Sequence, residues 1–113
     1  MNLEGINVNI IIADHDQMRL MNMVPGLQVN PQIRVVGIAQ TGKDLVDRAA
    51  SMRADAVLME YSLYDITGIE VTNSLREASP GTAVFVISDN LSAEFIFKAK
   101  NAGIVEVFSR NGF

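Results

Sequence analysis

The stretch Val8-Asn9-Ile10-Ile11-Ile12-Ala13-Asp14-His15-Asp16 decides how the rest of the chain is read. It starts polar, turns apolar on both faces of an extended chain, and ends abruptly in acids. A strand apolar on both faces belongs inside a parallel sheet covered by helices on each side. Ile33 to Ala39, Ala56 to Met59, Ala83 to Ile87 and Val105 to Phe108 repeat the pattern, each rich in Val or Ile.

Helical spacing fills the intervals. Leu45, Ala49 and Met52 fall at i, i+4, i+7, with Thr41 placed to cap the helix. Val71, Leu75 and Ala78 repeat that spacing, and Ser79-Pro80-Gly81 stops it. Ser92 opens a segment running to Ala102, and Gly103 supplies a left-handed stop. Between residues 15 and 29, Met18, Met21 and Val24 form the expected core-facing stripe, which Pro25-Gly26 should break or kink. Strict strand–helix alternation with right-handed crossovers predicts a doubly wound, five-stranded parallel sheet.

The whole chain holds 113 residues, 49% of them hydrophobic, enough for one core and too few for two. We therefore expect one domain over 1–113. There is no cysteine, which excludes disulfides and fits a reducing compartment. Thirteen acids against nine bases, without basic runs, disfavour nucleic-acid binding by this domain. No apolar run approaches the ~20 residues that span a bilayer, and Met1 to Asn9 lack a signal-peptide pattern, so a cytoplasmic location is expected.

Ligands of open α/β sheets sit at the carboxyl ends of the strands. There the sequence places Asp14 and Asp16, then Glu60, then Ser88-Asp89-Asn90, then Ser109-Arg110-Asn111. Gathered carboxylates repel one another, so they call for a hard divalent cation or for a partner such as Arg110.

These residues carry a resemblance. The chain resembles the receiver domain of two-component response regulators, most specifically over Asp55 to Gly68 and also at Ile10 to His15, Val36 to Ala39 with Gly42, Val86 to Ser88 and Ala102 to Arg110. The resemblance implies a flavodoxin-like strand order 2-1-3-4-5. It also implies that acids after the first and third strands bind Mg²⁺ and that the third-strand acid takes a phosphoryl group from a histidine kinase. A hydroxyl after the fourth strand and a Lys after the fifth would hold the phosphoryl oxygens.

Position by position, the match departs where the chemistry lies. Asp14 matches the second acid, but Ala13 stands at the first, with Asp16 close by as a partial substitute. Glu60 occupies the phosphoacceptor position, Ser88 keeps the hydroxyl, and Arg110 replaces the Lys. Val107 stands where an aromatic usually reports the switch, and Tyr64 where a Pro is frequent. Glu carries its carboxylate about 1 Å further than Asp, and misplacement on that scale costs about 10²-fold in reactions governed by positioning. A Mg²⁺ site at Asp14 and Glu60 would be weakened or lost, so no cofactor is required. Arg110 offers a planar fork suited to a carboxylate. The expectation is an atypical receiver in which Glu60 pairs with Arg110, imitating the phosphorylated state without phosphate. The alternative is a working Mg²⁺-dependent phosphoacceptor.

Other motifs point elsewhere and fail. Gly37-Ile38-Ala39-Gln40-Thr41-Gly42-Lys43-Asp44 nearly spells a phosphate-binding loop, but Asp44 stands where a hydroxyl should hold Mg²⁺. A flavin phosphate loop after the first strand is excluded by the acids there. His15, the only histidine, reads as a solvent-facing residue opening a helix. Phe95, Ile96 and Phe97 are consecutive, so at about 100° per residue at least one must face outward. With Lys100 they form the expected partner face, for a protein partner or self-association rather than an enzymatic role. Receivers have a fifth helix after the fifth strand. None follows here, so the face carrying the first helix should be half covered, and closed by a second copy or by an output domain beyond Phe113. The stretch Ala93 to Phe113 also resembles, weakly, the receiver-like domain of pilus-assembly ATPases.

Overall fold

The computed structural model describes residues 7–112; residues 1–6 and Phe113 lie outside the described part. Strands β1 (Val8–Ala13), β2 (Ile33–Ala39), β3 (Ala56–Glu60), β4 (Ala83–Ser88) and β5 (Glu106–Ser109) alternate with helices α1 (Gln17–Gln28), α2 (Gly42–Met52), α3 (Gly68–Ala78) and α4 (Ala93–Asn101). A 3-10 turn, Arg110–Gly112, follows β5. All pairings are parallel and the order is β2-β1-β3-β4-β5, as expected.

β3 and β4 each run one residue beyond their apolar pattern, and β5 is shifted one residue later. The ladder thus takes Glu60, Ser88 and Ser109 into the sheet edge. Pairing of Ala13 with Met59, Glu60 with Ile87, and Ser88 with Ser109 sets the register. One step further, Asp14 lies beside Glu60 and Asp89 beside Arg110. Register alone gathers residues from four distant segments.

The core has two layers, one on each side of the sheet. Ile11, Ala13, Val57, Met59, Val84, Val86 and Val107 face α2, α3 and α4, meeting Leu45, Ala49, Val71, Leu75 and Ala99. Ile10, Ile12, Ala56, Leu58 and Ile87 face the other way and meet Leu20 of α1. Among the described residues α1 is the only helix contributing to that second layer. Phe85 there is half-buried, and it stacks at 6.2 Å on Phe108, which is 37% exposed.

The helix ends follow local chemistry. Thr41 caps α2, Ser92 caps α4, and Gly103 takes a left-handed φ of 109°. Thr67 and Glu70 close a capping box on α3.

The expected phase of α1 needs correcting. Leu20 is fully buried, and Met23, Val24 and Leu27 pack beside it, whereas Met18 and Met21 are exposed. The side chain of Asp16 accepts from the N–H groups of Met18 and Arg19 and fixes where the helix begins. From that start Met18 stands about 200° around the helix from Leu20. Nor does Pro25-Gly26 break the helix, which continues to Gln28. Pro25 lies on the exposed side with Met21, so the carbonyl that loses its N–H partner is open to water.

Candidate functional site

At the carboxyl edge, Asp14 is 1% exposed and holds three hydrogen bonds. Arg19 grips it with two: Nε donates to Oδ2 at 2.8 Å and Nη2 to Oδ1 at 2.9 Å. The backbone N–H of Asp16 adds a third to Oδ1, at 2.9 Å. Burial opposes ionisation of Asp14, but the Arg19 bonds and the Asp16 N–H outweigh it and hold the carboxyl below its ordinary range.

Glu60, also buried, accepts a hydrogen bond at Oε2 from Arg110 Nη2. The remaining nitrogens of Arg110 reach other acids: Nε donates to Asp89 Oδ1 at 3.3 Å, and Nη1 lies 4.0 Å from Asp14 Oδ2. Arg19 and Arg110 thus knit Asp14, Glu60, Asp16 and Asp89 into one charged network, with Asp16 Oδ2 3.6 Å from Arg19 Nη1. Buried Ser88 lies at the same edge, its Oγ accepting from the Asn90 N–H at 3.0 Å.

The structure brings Asp14, Glu60, Ser88 and Arg110 to one edge and pairs Glu60 with Arg110. Asp16 is drawn into capping α1 instead. Sequence reading missed Arg19. The available signal was its place three residues after the cap Asp16, where the first helical turn folds back over the strand end.

As arranged, this donor set does not fit a hard divalent cation, which needs several free oxygens in near-octahedral array. Both Asp14 oxygens are engaged by Arg19, Ala13 supplies only a buried methyl, and Glu60 Oε2 is engaged by Arg110. Among the described residues no cluster of three or more His, Asp or Glu could hold a metal ion.

The neighbouring loops are built as supports. Asp65 accepts from the N–H groups of Gly42 (2.8 Å) and Lys43 (3.0 Å), so a carboxylate already fills the amides that the phosphate-loop-like segment would offer. Burial opposes its ionisation, and those N–H groups more than compensate, lowering its pKa. Ile66 lies so close over Gly42 that a Cβ there would force its side chain to shift. His15 stacks on exposed Tyr64 at 4.4 Å.

On the expected partner face Phe97 is the outward residue, 69% exposed. Phe95 and Ile96 pack towards the core, Phe95 edge-on to Tyr61 at 4.8 Å. Lys100 is held by Glu106 at 3.2 Å. A cleft of about 380 Å³ runs from Asp14, Arg19 and Arg110 along Met23, Leu27 and Ile87.

A 2-1-3-4-5 parallel sheet with acids, a hydroxyl and a cation at its carboxyl edge defines the class: a doubly wound domain whose edge pocket is built for charge. The chain belongs to the response regulator receiver domain family, whose model matches residues 10–111, and is thus a receiver domain of two-component signalling. It is 24% identical over 95 residues to the response regulator protein VraR of Staphylococcus saprophyticus, a match covering 84% of this chain and 45% of VraR. The chain spans about half the length of the curated relatives it matches. Among solved structures it resembles the signal receiver domain of the response regulator NarL from Mycobacterium tuberculosis, with TM-score 0.85, 20% identity, and coverage of 91% of this chain and 83% of that one. The response regulator domain of Thermotoga maritima CheB gives TM-score 0.83, 21% identity, and coverage of 92% and 78%. No helix among the described residues is long and apolar enough to cross a membrane.

Proposed function

We propose that this receiver acts as a regulatory protein-interaction or dimerisation module, with the Glu60–Arg110 pair standing in for the phosphorylated state. The observation that carries the reading is the hydrogen bond from Arg110 Nη2 to Glu60 Oε2. A carboxylate held against a cation at that edge has the charge pattern of an acyl phosphate held by Lys, and it is permanent.

In this reading the domain is not an enzyme and requires no Mg²⁺. It works in the cytoplasm through a protein surface that includes Phe97, and neither nucleic acid nor membrane is its direct ligand. It transmits to an output module outside the domain, for which the greater length of VraR is the support.

Incubation with a small phosphodonor and Mg²⁺, followed by intact-mass measurement, tests this. The native chain should show no phosphoryl adduct, and an adduct on Glu60→Asp alone would place the loss of phosphorylation at that position. A phosphoryl adduct on native Glu60 would return the domain to the working phosphoacceptors and sink the proposal.

A further inference from the structure

We propose that Arg19 is the built-in cation of this pocket, taking over the charge-balancing role that a divalent ion has in receivers. The inference deepens the reading above and rests on it, because a pocket locked by Glu60 and Arg110 has use for a cation that never leaves.

A carboxylate as buried as Asp14 needs a counter-charge at hand. Here the chain supplies it. The guanidinium meets Asp14 through two nearly equal bonds of 2.8 and 2.9 Å, the fork geometry that makes Arg–carboxylate pairs specific. With the Asp16 N–H on Oδ1, three of the four lone-pair directions of Asp14 are taken, and Arg110 Nη1, 4.0 Å from Oδ2, adds positive charge beside the remaining one.

Arg19 is itself fixed from the helix side. Its backbone N–H reaches Asp16 Oδ1 at 3.3 Å, and Nη1 lies 3.6 Å from Asp16 Oδ2. Its pKa is raised, chiefly by the Asp14 hydrogen bond. Unlike a bound ion, this charge does not depend on concentration and is not removed by chelators. It also ties α1 to the end of β1 whether or not metal is present.

Mn²⁺, which favours the same oxygen donors as Mg²⁺ and reports binding by electron paramagnetic resonance, is the probe. The native chain should bind none at millimolar concentration, and its thermal midpoint should be equal in EDTA and in Mg²⁺. Arg19→Gln should lower the midpoint in EDTA, and Mg²⁺ should restore part of the loss. Ala13→Asp returns the missing acid but leaves Arg19 in place. Adding Arg19→Lys, which frees one Asp14 oxygen and keeps the charge, should tighten Mn²⁺ binding about tenfold over Ala13→Asp alone. That comparison decides the matter even if Arg19→Gln does not fold.

Mn²⁺ binding by the native chain, or equal binding by Ala13→Asp with and without Arg19→Lys, would overturn the inference. These assays contain no phosphodonor, so the two proposals fail separately. A native chain that binds Mn²⁺ yet gains no phosphoryl group defeats only the role of Arg19, and one that gains a phosphoryl group defeats the proposed function.

Discussion

The two sides of the Glu60–Arg110 pair should respond unequally to mutation. Glu60 has a side chain 10% exposed and one cationic contact, Arg110. Arg110 is 26% exposed and keeps Asp89 at 3.3 Å and Asp14 at 4.0 Å when Glu60 is neutralised. Breaking a fully buried pair costs about 3–5 kcal/mol, and the partial exposure of Arg110 reduces that to about 2–3 kcal/mol for Arg110→Met. Glu60→Gln should cost about 1 kcal/mol or less, since it leaves a neutral amide and a cation with other partners. Arg110→Met/Glu60→Gln should be no worse than Arg110→Met alone, because the unpaired charge is gone, giving a coupling about equal to the Glu60→Gln cost, about 1 kcal/mol. For a domain of this size 1 kcal/mol moves the thermal midpoint by about 4 °C, so Arg110→Met should melt about 8–12 °C lower. Urea and thermal unfolding followed by far-ultraviolet circular dichroism suit a chain without tryptophan. Additivity within about 0.5 kcal/mol, or equal losses for the two single variants, would refute the reasoning.

The phase of α1 makes a second test: Leu20→Ala should cost about 2–5 kcal/mol in urea unfolding and Met18→Ala no more than about 0.5 kcal/mol. The reverse ranking would put the wrong face of the helix on the sheet. Acid titration gives a third. Asp14 and Asp65 both have folded pKa values below their ordinary 3.8. Their stabilisation is therefore complete above the unfolded value and drains away as pH falls through the folded one. Unfolding free energy should fall below about pH 4, and Asp65→Asn should flatten part of that fall; an unchanged slope would contradict the bonds to Gly42 and Lys43.

The sequence by itself determined the elements and their order. Two-sided apolar strands such as Ile10 to Ala13 are stable only between helical layers, and parallel strands joined by helices leave few topologies. It also placed Asp14, Glu60, Ser88 and Arg110 at one edge, because strand ends of a parallel sheet share a side. That at least one of Phe95, Ile96 and Phe97 faces outward was legible, since a helix cannot bury three consecutive residues, and packing made it Phe97.

Tertiary structure decided what local pattern leaves open. Met18-Arg19-Leu20-Met21 is apolar at three of four positions, so periodicity offered two phases for α1, and the Asp16 cap chose between them. The same choice swung Arg19 over β1 and onto Asp14, a contact that spacing could not reveal because it depends on the angle between a helix and a strand. Whether Glu60 would meet Arg110, 50 residues away, depended on the register of two strand pairs, β3 with β4 and β4 with β5. Sequence named the pocket's charges other than Arg19, and only packing decided which of them pair, because ion pairing depends on distance and burial that no linear pattern encodes.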